Sequence, residues 1–191
     1  MDKISSIRGM PDVFEADANY LSELNEILSK IFLSHNLKEV NTPILEQTEL
    51  FIRSTGATSD IVNKEIYSFN DRNEQSLSLR PEGTAGVVRS IIQKKLDNSE
   101  HKLWYQGPMF RYERPQKGRF RQFNQAGVEL LGFSEGSSDL EIISIVCDIF
   151  IELELEDSVL KINHLGDKNT KERFLSELLR YLKTFKGELN D

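Results

Sequence analysis

Residues Met109 to Gly132 read MFRYERPQKGRFRQFNQAGVELLG. Arg111, Arg114, Lys117, Arg119 and Arg121 crowd into this stretch, although the whole chain carries a net charge of -7. The pattern predicts a strand, a tight turn around RPQKG with Pro115 and Gly118 as turn residues, and a second strand. Side chains alternate between the faces of a strand. On the outgoing strand Arg119, Arg121, Phe123, Gln125, Gly127 and Glu129 therefore share one face. Phe120, Gln122, Asn124, Ala126, Val128 and Leu130 share the other, whose apolar far half suits packing under helices. The first row could hold phosphates at one end, a flat ring in the middle and a cationic or polar group at the other. Gly127 would let a ligand lie close to the backbone. On the incoming strand Arg111 and Glu113 share a face, and Arg114 and Lys117 could fold over an anion. Arginine suits that task because its planar fork binds phosphate or carboxylate bidentately and stays charged. Alternating charge on a hairpin is equally the mark of a solvated face. The ring and the glycine within this polar row argue for a site.

Working outward, the 191 residues are 38% hydrophobic and 29% charged, enough for a globular core. The acidic balance excludes nucleic-acid binding by whole-chain charge and leaves only local clusters for phosphate contact. Cys147 is the single cysteine, which excludes an internal disulfide and suggests a reducing compartment. No apolar run approaches the roughly 20 residues of a membrane span. The N-terminal MDKISSIRGMPDVF lacks the apolar core of a signal peptide, so a cytoplasmic location is expected.

Periodicity supplies the remaining elements. IRGMPDVF (Ile7 to Phe14) is loop-like. From about Asp17 to His35 the residues Tyr20, Leu24, Ile27, Leu28, Ile31 and Phe32 recur at helical spacing. LKEVNTPILE (Leu37 to Glu46) looks extended, with Pro43 at an edge, a bulge or an interface. KEIYSFNDRNEQSLSLRPE reads as a hairpin, with Ile66, Tyr67 and Phe69 leading in and Leu77 and Leu79 leading out. A helix over about Gly83 to Lys95 presents Val87, Val88, Ile91 and Ile92 as its inner stripe. After the quoted hairpin, Ser138 and Glu141 have capping-box spacing before an apolar helix. SVLKINHLG is expected to be a short strand, and a last helix spans about Thr170 to Phe185. Hairpins separated by helices predict an α+β fold, an antiparallel sheet with helices packed on it. His35, His101 and His164 lack metal-ligand spacing, so no metal site is expected. Cys147 is expected in the core. The apolar stripe from Phe174 onward (Leu175, Leu178, Leu179, Leu182) is core or interface.

FRYE, a basic turn and GRFRQFNQAGVELLG resemble motif 2 of class II aminoacyl-tRNA synthetases, here about residues 103–132. The wording is most similar to histidyl-tRNA synthetases. IRGMPD (Ile7 to Asp12) resembles that family's N-terminal loop. NTPILEQTELFIRSTG (Asn41 to Gly56), with its preceding helix, resembles motif 1, about 20–56, which forms the dimer interface in the class. LSLRPEGTAGVVRS (Leu77 to Ser90) resembles the amino-acid-binding segment. The resemblance implies a class II synthetase-like antiparallel sheet flanked by helices. It implies a ligase that joins histidine to ATP, with Mg²⁺ accompanying the ATP, and passes the histidyl group to the acceptor end of tRNA(His). It further implies a cytoplasmic homodimer built through motif 1. Arg111 would contact the α-phosphate and the amino-acid carboxylate and is the catalytic candidate. Glu113, Arg119 and Phe123 would complete the ATP site, with Arg121 in support. Glu82, Gly83, Thr84 and Gln125 would hold the amino-acid end of histidine, and Glu129 would read an imidazole nitrogen. Glu82 and Thr84 could instead simply cap the helix that follows, and Gln125 and Glu129 could be ordinary surface residues.

Family members continue beyond this length with a second histidine-specific arginine segment, motif 3 and an anticodon-binding domain. None of these occurs here, and INHLGD resembles the strand before the family's insertion. The expectation is the N-terminal portion of the catalytic domain, inactive or poorly active alone, with an edge of the sheet exposed. An alternative from another class is a non-catalytic paralogue that serves as the regulatory subunit of ATP phosphoribosyltransferase in histidine biosynthesis. Such a protein has no need of Arg111, Glu113, Arg119 and Phe123, all of which are present. A plain dimerisation module built on the first helix and the Pro43 segment is a third option.

Overall fold

The apolar spacing of the first helix has one consequence that organises the fold: Leu28 and Phe32 lie on one stripe and must be covered. They are buried against Leu37, Trp104 and Ile145, with Leu24, Ile31, Val128, Leu130 and Ile149 around them. In a computed structural model, residues 4–55, 65–114, 116–133, 136–155, 157–163 and 166–185 are described. Pro115, His164 and the end of the motif 1 stretch at Gly56 lie outside these residues. Met1–Glu156 forms one unit and Asp157–Asp191 another.

The first unit runs α1 (Glu15–Ser34), β1 (Lys38–Glu39), β2 (Leu45–Gln47), α2 (Thr48–Thr55), β3 (Ser68–Asn70), β4 (Ser76–Leu79), α3 (Thr84–Gln93), β5 (His101–Phe110), β6 (Gln122–Leu131) and α4 (Ser137–Glu152). The α+β expectation holds, but the single antiparallel sheet does not. The described residues form two three-stranded sheets, ordered β1-β5-β6 and β2-β4-β3, and β1 runs parallel to β5. The stretch Leu37 to Glu46 is two short strands with an irregular turn at Pro43, which cannot donate to a ladder. Within the first sheet β5 and β6 pair antiparallel from His101↔Leu131 to Phe110↔Gln122, and β6 forms one edge.

This sheet is covered on both faces. Trp104, Val128 and Leu130 face α1 and α4. Leu103, Tyr105, Met109, Phe123 and Leu131 face α3, where Val87 and Ile91 meet them. Val88 and Ile92 turn instead toward a groove between α2 and α3. Tyr20 lies exposed, outside the packed stripe of α1.

α4 is apolar on nearly every side, so periodicity alone could not choose its inner face. Ile145 is buried while Cys147 is exposed, contrary to expectation. Its N-cap is Gly136 at φ 90°, not the expected Ser138. The Glu141 carboxylate accepts from Lys102 Nζ at 2.5 and 2.7 Å, tying α4 to β5. His35 Nε2 and Asp148 Oδ2, 2.7 Å apart, join the end of α1 to α4.

In the second unit α5 (Lys168–Thr184) is capped by Asp167, which accepts from the Thr170 N–H at 2.7 Å. No residue of α5 is buried, and Phe174, Leu175, Leu178 and Leu179 of its apolar stripe are exposed. Residues 157–163 carry no strand, because a strand needs a ladder partner and none pairs there among the described residues.

Candidate functional site

The two strands of the quoted stretch do not run into its turn. β5 stops at Phe110 and β6 begins at Gln122. Arg111, Glu113, Arg119 and Arg121 therefore lie in the connecting segment and not on strands. One further backbone bond, from the Arg111 N–H to the Arg121 carbonyl at 2.9 Å, extends the pairing past the strand ends. Glu113 then donates back to the Arg111 carbonyl at 2.8 Å, which breaks the alternation. Gln116 and Arg119 close a separate small turn with Gly118 at φ 79°, a conformation that glycine adopts without strain. The N-terminal loop braces the start of β6, since the Gly9 carbonyl accepts from the Arg121 and Gln122 N–H groups at 2.7 and 3.1 Å.

At the cationic end, Arg111 lies over the Phe123 ring at 5.1 Å and its Nε donates to the Pro81 carbonyl at 2.9 Å. That bond carries the guanidinium to the segment holding Glu82, Gly83 and Thr84. Arg119 Nη1 stands 3.5 Å from Glu113 Oε2, an exposed and weak pair that a ligand could displace. Arg121 turns aside, stacking on the Tyr112 ring at 4.1 Å and donating to the Glu113 carbonyl at 3.1 Å. Arg114, Lys117 and Arg119 are exposed.

At the acidic end, the Glu82 carboxylate accepts from the Thr84 and Ala85 N–H groups at 2.5 and 3.0 Å. It thus caps α3, whose N-cap Gly83 has no side chain for the task. Capping does not remove Glu82 from the site. The Thr84 Oγ1 donates to Glu129 Oε1 at 2.6 Å, which joins the start of α3 to β6. Phe123, Gln125, Gly127 and Glu129 alternate on the α3-facing side of β6, as the sequence predicts. Gln125 Oε1 is buried without a hydrogen-bond partner among the described residues.

One expectation fails. Gly127 does not open the backbone to a ligand, because Tyr105 stands opposite it in register. A Cβ at Gly127 would lie 2.3 Å from Tyr105 Cζ, and a Cβ at Gly83 would lie 2.1 Å from Cε2. The tyrosine ring fills the space both glycines leave. Sequence reasoning also passed over Arg80. It is buried, and donates to the Pro108 carbonyl at 3.0 Å and to Thr42 O and Oγ1 at 2.9 and 3.2 Å. These bonds knit the β1–β2 connection to β5, and burial lowers the Arg80 pKa.

Burial also holds the Glu129 carboxyl above its ordinary value near 4.5. Glu82 adds to the rise and the Thr84 hydroxyl opposes it. A carboxyl whose folded pKa is raised contributes its full stability below the unfolded value and loses it as pH climbs through the folded value. The ligand-free chain should therefore lose stability from about pH 4.5 upward at this site, and Glu129→Gln should remove that loss. Melting curves of both proteins across pH 4–8 check this. Parallel melting-temperature profiles would rule it out.

The groove between α2 and α3, about 1130 Å³, meets these residues only at Glu82 and Thr84, so it is not the candidate site. No cluster of His, Cys, Asp and Glu that could hold a metal occurs among the described residues, and none of their helices is long and apolar enough to cross a membrane.

The α+β domain thus places Arg111 and Arg119 near one end of β6 and Glu82 and Glu129 near the other. The family model described as histidyl-tRNA synthetase matches residues 9–167, and the chain belongs to that family. It is 46% identical, over its whole length, to the histidine–tRNA ligase of Microcystis aeruginosa, of which it covers 45%. The chain spans about half the length of the curated relatives it matches. The apo histidyl-tRNA synthetase of S. aureus superposes with a TM-score of 0.76 at 34% identity, over 98% of this chain and 44% of that one. A Bacillus halodurans protein described as an ATP phosphoribosyltransferase regulatory subunit/histidyl-tRNA synthetase shares the fold, with a TM-score of 0.67 at 24% identity over 79% of this chain and 39% of that one.

Proposed function

We propose that this chain is the histidine- and ATP-binding portion of a histidine–tRNA ligase. The observation that carries the proposal is the joining of both ends of the site. Arg111, stacked on Phe123, is bonded to the backbone of the segment whose Thr84 is bonded to Glu129. Activation requires a carboxylate to attack an α-phosphate, two anions that repel, and a cation between them stabilises the transition state. Arg111 takes that role. Phe123 stacks on adenine, Glu113 faces the adenine amino group, and Arg119 holds the far phosphates. Mg²⁺ arrives with ATP, bound mainly by phosphate oxygens. Glu82, Gly83, Thr84 and the unpartnered Gln125 receive the ammonium end of histidine. Glu129 accepts from the imidazole, which disfavours amino acids with no N–H to offer. The exposed Arg114 and Lys117 face the acceptor end of tRNA(His). Motif 1, about 20–56, pairs two copies as a homodimer, a reading supported by exposed Ile44, Leu45 and Ile52.

Separate titrations of the chain with histidine and with MgATP test this. Binding of both supports the ligase. Binding of histidine with indifference to ATP would replace it with the regulatory paralogue.

A further inference from the structure

Arg80 follows directly on β4, where the chain leaves the second sheet for the segment that carries Glu82 and Thr84. It is buried. A buried cation is tolerated only where hydrogen bonds satisfy it. Here Nε donates to the Pro108 carbonyl, and Nη1 donates to the carbonyl and the hydroxyl of Thr42. Nη2 lies against Gly107, whose φ is 148° and where a Cβ would stand 2.7 Å from that nitrogen. Gly107 is opposite Gln125 in the ladder. The backbone of Arg80 is fastened as well. Its N–H donates to the Ile44 carbonyl at 2.9 Å, and its carbonyl accepts from the Phe110 N–H at 3.0 Å. Pro81 comes next, fully buried, with its φ locked by the ring. The direction of the Pro81 carbonyl therefore depends on how Arg80 is held. That carbonyl accepts from Arg111 Nε at 2.9 Å, the one side-chain hydrogen bond of Arg111 among the described residues.

We infer that Arg80 is a positioning residue for Arg111: it fixes the Pro81 carbonyl that anchors Arg111 by Nε, and so aims the two terminal nitrogens of Arg111 at the ligand. This rests on the reading of Arg111 as the cation between the two reactants. Arg80 touches no ligand in this arrangement. Its fork spans Thr42 on one side and β5 on the other, a reach that a point charge on a flexible stem does not reproduce. A small misplacement of a group that orients reactants is felt in binding and rate even when its charge is intact.

The test uses the 191-residue chain with Arg80→Lys, which keeps the charge and loses the fork. Calorimetric titration should give an MgATP Kd about tenfold weaker, the range for one lost hydrogen bond. In an Arg111→Ala background the same substitution should cost less than about twofold, because the nitrogens it misdirects are gone. Thr42→Val removes one acceptor of the fork at similar side-chain volume. It should weaken MgATP by about threefold, again only while Arg111 is present, and it decides the matter if Arg80→Lys does not fold. An unchanged MgATP Kd would overturn the inference. So would equal weakening with and without the Arg111 guanidinium, which marks general support of the fold. Arg111→Ala alone separates the two levels. If it leaves MgATP affinity as it was, the reading of Arg111 fails and the inference falls with it. If it weakens MgATP while Arg80→Lys does not, only the inference fails.

Discussion

Replacing Arg111 with alanine should weaken the binding of MgATP and of histidine together, each by roughly 10- to 100-fold. That range corresponds to about 1.5–3 kcal/mol for one charge-assisted contact. Both ligands suffer because the guanidinium stands between their proposed positions, over the Phe123 ring and against the Pro81 carbonyl. Arg111→Lys keeps the charge but loses the fork and the flat face that stacks. It should recover only part of the affinity. Glu129→Gln should act on histidine alone, which makes the pair of variants diagnostic. The fold should survive Arg111→Ala, since the guanidinium gives one bond to a carbonyl and covers one ring. Isothermal titration with each ligand, beside a melting curve, checks all of this. If Arg111→Ala left both affinities within twofold, the proposed site would be in the wrong place.

Much of that placement was legible before any coordinates. The row Phe123, Gln125, Gly127, Glu129 follows from period-2 alternation, and α1 follows from the spacing of Leu24, Leu28, Ile31 and Phe32. What could not be read was register. Had the small Gln116–Arg119 turn been the apex of a regular hairpin, its pairing continued along the strands would set Leu130 opposite Tyr105. The observed ladder sets Gly127 there, because the segment between Phe110 and Gln122 leaves the ladder register before it turns. An odd shift of this kind exchanges the faces of a strand, so no count from the turn could find the tyrosine. Arg80 escaped for a related reason. The alternation of Leu77 and Leu79 marks a strand, but the polar partners are the ones inside. Ser78 is fully buried among the hydroxyls of Thr48 and Ser68, and Arg80 is buried beyond it. Hydrogen bonds to residues far along the chain decide that inversion, and local periodicity carries no record of them.

The contact between Tyr105 and the two glycines yields the largest expected effect on stability. Gly127→Ala should destabilise the chain by about 3 kcal/mol, the upper end for overpacking a core. Backbone conformation is not the cause, since Gly127 lies within a regular strand and has no positive φ. The cause is space. The new methyl would sit 2.3 Å from Tyr105 Cζ and 2.4 Å from its hydroxyl oxygen. The ring cannot retreat from Gly127 without moving toward Gly83, whose own missing Cβ leaves the other half of the slot. Val87, Leu103 and Met109 are buried in the same cluster as the ring. The strain should therefore pass into the start of α3 and separate Thr84 from Glu129, so histidine affinity should fall with stability. A double-mutant cycle isolates the mechanism. In a Tyr105→Val background, itself destabilised by the cavity left behind, the alanine methyl has room and Gly127→Ala should cost little. Denaturant midpoints of the four proteins measure the coupling. Strict additivity would mean that the ring is not what the methyl strikes.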